Sequence, residues 1–190
     1  MKRRTTIAAF LAALCMPILA VAAEPPADSI YQLQAQLTDQ SGRVSGLDVF
    51  RGEPVLISMF YASCPNACPT LIAAMRRLEN RLEPAQRDRL RVLMISIDPK
   101  HDTPEKLGEL AERHHADLQR WRFTRPEAAD VRGIAAVLDI QYRELGDGEF
   151  NHSSIVTLLD REGRIVATTQ QVLRADEEFL GKLRALIGAL

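Results

Sequence analysis

Val55-Leu-Ile-Ser-Met-Phe60 and Val92-Leu-Met-Ile-Ser-Ile97 are short, almost continuously apolar runs. Runs of that length with little polar alternation are the pattern of strands covered on both faces. Between them Leu71, Met75, Leu78 and Leu82 recur at helical spacing, Pro69 suits the first turn of a helix, and Pro84 follows its end. A strand, a helix and a second strand in that order predict a parallel pair joined by a right-handed crossover.

Reading outward, Pro104 to about His115 forms a second helix, with Leu107, Leu110 and Ala111 on one side and Asp102 or Thr103 as its cap. A third helix is expected from Pro126 to about Leu138, with Val131, Ile134, Ala135 and Leu138 facing inward, and Trp121-Arg-Phe123 reads as a short strand before it. Ser154-Ile-Val-Thr-Leu-Leu159, the turn Asp160-Arg-Glu-Gly163 and Arg164-Ile-Val-Ala167 make a hairpin, and Phe179, Leu183, Leu186 and Ile187 mark a closing helix. Upstream, Tyr31 to Leu37 alternates with period two and Asp39-Gln-Ser-Gly42 supplies turn chemistry, so an N-terminal edge hairpin precedes the core. The pattern predicts one layered α/β domain, a central mixed sheet flanked by helices, over residues 24–190.

Composition narrows the function classes. The 190 residues carry 24 Lys+Arg against 25 Asp+Glu, a net charge of -1, so no bulk field draws the chain to nucleic acid or an anionic membrane. A hydrophobic fraction of 46% fits one globular core and not several membrane spans.

Residues 1–23 read as a targeting segment: Lys2, Arg3 and Arg4, an apolar run from Ile7 to Ala20, then the small-residue pattern Ala20-Val21-Ala22. Cleavage near Ala22 or Ala23 makes it a secretory signal. Retained, it is an N-terminal anchor, since Ile7 to Ala23 falls just short of the roughly 20 apolar residues of a span. Either way the remainder is exported, which places its cysteines in an oxidising compartment.

Only Cys15, Cys64 and Cys68 are present, too few for a disulfide-stapled miniprotein or a four-cysteine zinc module. Cys15 falls in the targeting segment. Cys64-Pro-Asn-Ala-Cys68-Pro69 follows the first core strand and enters the helix, where the positive end of the helix dipole favours the thiolate needed for metal ligation and for disulfide exchange. Two soft thiolates suit Cu(I). A third ligand is sought among four histidines, and His152, introducing the apolar run Ile155 to Leu159, is the first candidate. His101, just past the second core strand, is the reserve, while adjacent His114 and His115 point in different directions on a helix and read as a solvated face. A buried inert pair or a permanent disulfide in a plain docking module is the bland reading of Cys64 and Cys68.

Phe60-Tyr-Ala-Ser-Cys64-Pro-Asn-Ala-Cys68-Pro69, Ile95-Ser-Ile-Asp98-Pro-Lys-His-Asp102-Thr-Pro104 and Asn151-His152-Ser153 with Leu158-Leu-Asp160 and Gly163 together resemble the SCO/SenC family, over roughly residues 30 to 188. The resemblance implies a thioredoxin-like fold on the far, periplasmic side of an inner membrane. It implies Cu(I) and Cu(II) binding through Cys64, Cys68 and His152, with Cys64 and Cys68 also a redox-active disulfide pair. It further implies copper delivery during assembly of a copper centre, that of cytochrome c oxidase, with a copper-donating or copper-accepting protein such as an oxidase subunit as partner. The alternative is a thiol-disulfide oxidoreductase that reduces the copper-ligand cysteines of a partner. A peroxidase is a weaker third reading, since no feature marks a peroxide pocket. Asn66 and Asn151 stand where the family commonly has aspartate, and each removes a negative charge that would help hold Cu(II) and tune the thiols. Asp98 is expected to cap Thr103 or shape the rim of the site.

Overall fold

The computed structural model describes residues 24–63, 67–146, 148–174 and 176–189. In chain order the elements are β1 (Gln36–Asp39), β2 (Val44–Gly46), β3 (Val55–Phe60), α1 (Ala67–Asn80), α2 (Pro84–Arg87), β4 (Arg91–Ser96), α3 (Pro104–Arg113), β5 (Trp121–Pro126), α4 (Val131–Val137), β6 (Tyr142–Glu144), β7 (Phe150–His152), β8 (Val156–Leu159), β9 (Ile165–Thr169) and α5 (Glu177–Gly188). The main sheet runs β2-β1-β5-β4-β3-β8-β9, and β6 and β7 form a separate two-stranded sheet.

The deciding stretch folds as its pattern demands. All six residues of β3 are buried, β3 and β4 pair in parallel from Val55↔Arg91 to Phe60↔Ser96, and β5 extends the parallel set on the far side of β4. On the other side β8 joins β3 antiparallel, from Val55↔Leu159 to Ile57↔Thr157. Two of the polar side chains within these strands are satisfied by main-chain carbonyls: the Ser58 hydroxyl donates to the Ile155 carbonyl at 2.5 Å and the Thr124 hydroxyl to that of Met94 at 3.0 Å. In the last turn of α1, the buried Glu79 carboxylate accepts from Arg120 and from the indole N–H of Trp121.

Two expectations shift. The N-terminal hairpin exists as β1–β2 on the edge of β5, but its strand starts only at Gln36. Ser29 accepts from the Tyr31 N–H at 3.0 Å, which winds Ile30–Gln32 into a 3-10 turn and buries the Tyr31 ring against the turn between β8 and β9. The third helix begins at Val131, because Arg125 and Pro126 continue β5 alongside β1. Pro84 follows the end of α1 at Asn80, as expected, and also opens the short helix α2 with the capping box Glu83/Gln86.

No helix among the described residues is long and apolar enough to cross a membrane. The targeting segment 1–23 lies outside the described residues.

Candidate functional site

The chain leaves β3 at Phe60 and passes through Tyr61, Ala62 and Ser63 toward the thiol loop, while α1 starts at Ala67. A carboxylate holds this exit. Asp102 is 1% exposed, and its Oδ2 accepts from the Ala62 N–H at 3.0 Å and from the Ser96 hydroxyl at 2.6 Å. Ser96 accepts in turn from the Asp98 N–H at 2.9 Å, and the Ile97 N–H donates to the Phe60 carbonyl at 2.7 Å. The C-terminal ends of β3 and β4 are thus laced together beneath the loop. Burial, first, pushes the Asp102 carboxyl above its usual range, the Ser96 and Ala62 hydrogen bonds pull it back, and nearby Asp98 raises it again. Asp102 is therefore not the cap of α3. Thr103 is, accepting from the Lys106 N–H at 3.4 Å with Pro104 in the first turn.

His152 stands in a different setting from the one its sequence suggests. It does not begin the apolar strand β8 but ends β7, across from Tyr142 of β6. Ser153 closes the pairing, its N–H donating to the Gln141 carbonyl at 2.9 Å and its hydroxyl accepting from the Gln141 N–H at 3.0 Å. The imidazole Nδ1 lies 3.2 Å from the Ser153 carbonyl oxygen. A carbonyl can only accept, so Nδ1 carries a proton, and in the neutral ring Nε2 then holds the lone pair that a metal would take. Nε2 is buried and meets no hydrogen-bond partner among the described residues. The ring packs edge-on to Tyr61, centroids 5.9 Å apart, and Tyr61 also meets Phe150 at 5.4 Å. An unpartnered imidazole nitrogen is thereby fixed next to a residue three positions before Cys64.

Cys64 lies outside the described residues, as does the side chain of Cys68; the backbone of Cys68 is the second residue of the 14-residue helix α1. Among the described residues no group of three or more His, Cys, Asp and Glu side chains could hold a metal. His101 is engaged elsewhere: its Nδ1 lies 2.8 Å from the Asp98 carboxylate, so Asp98 orients His101 and does not cap Thr103. His115 is exposed, with a left-handed φ of 48° just beyond α3. His114 departs from the solvated reading, being half-buried in a groove shared with Ala62, Ser63 and Pro69. Sequence reasoning missed Tyr61 and the inward turn of Asp102. Both lie inside the motif blocks, but nothing in their local pattern shows which way the side chains face.

A parallel strand–helix–strand core continued by antiparallel β8 and β9, with chemistry gathered where the central strands end, is a thioredoxin-like fold. The SCO1/SenC family model matches residues 23–188, and the chain belongs to that family. A SCO2-like protein of Rickettsia typhi is 30% identical over 150 residues, covering 76% of this chain and 73% of its own. Among solved structures, copper-bound ScoI of Bradyrhizobium japonicum superposes with a TM-score of 0.68 at 24% identity, over 80% of this chain and 96% of that one. BsSco, described as a member of the Sco family of cytochrome c oxidase assembly proteins with a disulfide switch, gives 0.70 at 18% identity, over 87% and 98%. At these identities the two structures speak for the fold.

Proposed function

We propose that this chain is an exported copper-binding protein that carries copper as cargo to the copper centre of a partner, cytochrome c oxidase being the intended one. Cys64, Cys68 and His152 hold the ion. The observation that carries this reading is the Nε2 of His152, buried and without a hydrogen-bond partner among the described residues, its Nδ1 facing the Ser153 carbonyl and its ring packed against Tyr61 at the entrance to the thiol loop. Such a nitrogen is costly to bury unless something binds it. Two thiolates and one imidazole form a donor set suited to Cu(I). Copper bound in the relative from Bradyrhizobium japonicum and the oxidase-assembly description of BsSco support the same reading. Residues 1–23 serve as signal or anchor and place residues 24–190 in the periplasm.

A second reading is favoured by the position of Cys68 in the first turn of α1, where the helix dipole stabilises a thiolate whether or not copper is present. In that reading one thiolate attacks a partner disulfide and the other resolves the mixed disulfide, so two protein thiols are oxidised as two partner thiols are released. Anaerobic Cu(I) titration separates the two. His152→Ala should weaken copper binding at least tenfold and leave thiol exchange within about threefold of wild type, since loss of a ligand removes a bond that exchange never uses. Undiminished copper affinity in a Cys64→Ser, Cys68→Ser double variant would remove the copper site altogether.

A further inference from the structure

Beside the thiol loop runs a groove of about 540 Å³ whose floor includes Ser63 and Pro69 and whose wall is one face of α3. Lys106, Glu109, Arg113 and His114 project from that wall, while Leu107, Leu110 and Ala111 on the inner face are buried in the core. The charged ends of Lys106 and Arg113, and of Arg76 on neighbouring α1, make no ion pair or hydrogen bond among the described residues. Elsewhere the chain pairs many of its cations: Arg51 with Glu162, Arg81 with Glu177, Arg91 with Glu53, Arg120 with Glu79 and Arg164 with Asp28. On a chain of net charge -1, the lining of this groove carries Lys106 and Arg113 against one acid, Glu109, with the buried Asp102 carboxyl behind it within the field of Lys106. The local field reaches His114, which burial first and then Arg76, Arg113 and His115 hold below its ordinary pKa.

We propose that this groove docks an extended acidic segment of the protein that receives copper from, or exchanges thiols with, Cys64 and Cys68. The proposal names the partner's chemistry and rests on the function proposed above. Geometry selects a peptide over a small anion. Lys106 and Arg113 are seven residues apart on α3, roughly 10 Å along the helix axis. One phosphate or carboxylate cannot meet both, whereas on an extended strand acidic side chains two and four residues apart share one face at separations of about 7 and 13 Å, a range that the long Lys and Arg side chains can span. The groove borders Ser63 and Pro69, which flank the thiol loop on either side in sequence, so a segment lying in it brings the flanking part of its own chain to the thiols. Charge-matched docking of this kind raises the association rate and fixes register more than it adds raw affinity, which suits a partner that must leave after transfer.

The test needs neither copper nor free thiols, so it can fail while the copper reading stands, and the reverse. Binding of fluorescein-labelled hexaglutamate to the purified full-length protein is followed by anisotropy at low ionic strength, with hexaglutamine and inorganic pyrophosphate as competitors. Expected is saturable binding of hexaglutamate, no competition by hexaglutamine, and weak competition by pyrophosphate. Lys106→Glu with Arg113→Glu should weaken binding roughly tenfold or more, Glu109→Gln should tighten it about two- to fivefold, and Arg132→Glu with Arg143→Glu, at a second groove beside β6, should leave it within about twofold. These side chains are surface groups, and unchanged circular dichroism secures the fold of each variant. Equal affinity in the Lys106/Arg113 variant, equal loss in the Arg132/Arg143 variant, or pyrophosphate competing as well as the peptide competes with itself would each overturn the proposal.

Discussion

The Tyr61 ring stands edge-on to the His152 imidazole, with centroids 5.9 Å apart and planes at 77°, and it is the physical link between two motif blocks more than ninety positions apart. Tyr61 belongs to the exit of β3, His152 to the separate sheet β6–β7, and Phe150 packs on Tyr61 from that same sheet. Among the described residues the small sheet shares no strand pairing with the main one. Aromatic packing therefore sets where the imidazole sits relative to the loop between β3 and α1.

Removing the ring should loosen that placement. Tyr61→Ala is expected to lower Cu(I) affinity about tenfold to a hundredfold, the range seen when a group supporting a metal ligand is lost, and Tyr61→Phe, which keeps the ring, to lower it less. Competition against a chromophoric Cu(I) chelator, alongside near-ultraviolet circular dichroism, reads both. Wild-type affinity in a folded Tyr61→Ala protein would mean that the hairpin is held by other contacts.

Asp102 makes a prediction in the pH dependence of stability. Its folded-state carboxyl titrates above the ordinary value of 3.8, mainly through burial, so the folded protein holds its proton to higher pH than the unfolded chain does. The resulting stabilisation is complete below 3.8 and is lost as pH rises through the raised value. Chemical denaturation of wild type and Asp102→Asn across that acid range should show the wild-type advantage shrinking as pH rises, then levelling. An advantage that grows with pH would contradict the burial argument.

Much of this was legible in the sequence because the central strands and helices are set by local pattern. Val55–Phe60, Val92–Ile97 and the 107/110/111 face of α3 carry their burial in their own composition. The N-terminal turn was not legible, since period-two alternation in Tyr31–Leu37 competes with a Ser29 cap whose effect depends on a distant turn. The setting of His152 was hidden for a related reason. Its short β7 pairing depends on Gln141 and Tyr142, residues with no strong strand pattern of their own.

That distant turn is held by a glycine. Gly163 has φ 79°, and a Cβ there would lie 2.5 Å from Tyr31 Cδ2 and 2.7 Å from Ser29 Oγ, while its carbonyl accepts from the Ile30 N–H at 3.0 Å. Left-handed strain plus overpacking puts the cost of Gly163→Ala at about 2 to 4 kcal/mol. Gly181→Ala on α5, where a Cβ meets nothing within 4 Å, should instead stabilise by roughly 0.5 to 1 kcal/mol. Urea midpoints of the two variants should therefore move in opposite directions, and a shared direction would show that the N-terminal turn is not seated as described.

Glu79 tests the opposite end of the sheet, away from the thiols. Its carboxylate, 4% exposed, accepts from Arg120 and, at 3.0 Å, from Trp121 Nε1, while the Arg120 Nε donates to Asp117 at 2.9 Å. Glu79→Ala leaves the largely enclosed guanidinium with Asp117 as its one carboxylate partner and strands a buried indole N–H, and breaking a buried pair from one side costs about 3 to 5 kcal/mol. Glu79→Gln keeps an acceptor for Trp121 and loses only the charge, so it should cost less than half as much. Because Glu79 lies in the last turn of α1 and Cys68 in its first, Cu(I) affinity of the folded fraction should stay within about twofold of wild type in both variants. A destabilisation below about 1 kcal/mol for Glu79→Ala would show that the cluster relaxes or hydrates freely, and a tenfold fall in affinity would mean that α1 transmits its packing to the thiol loop.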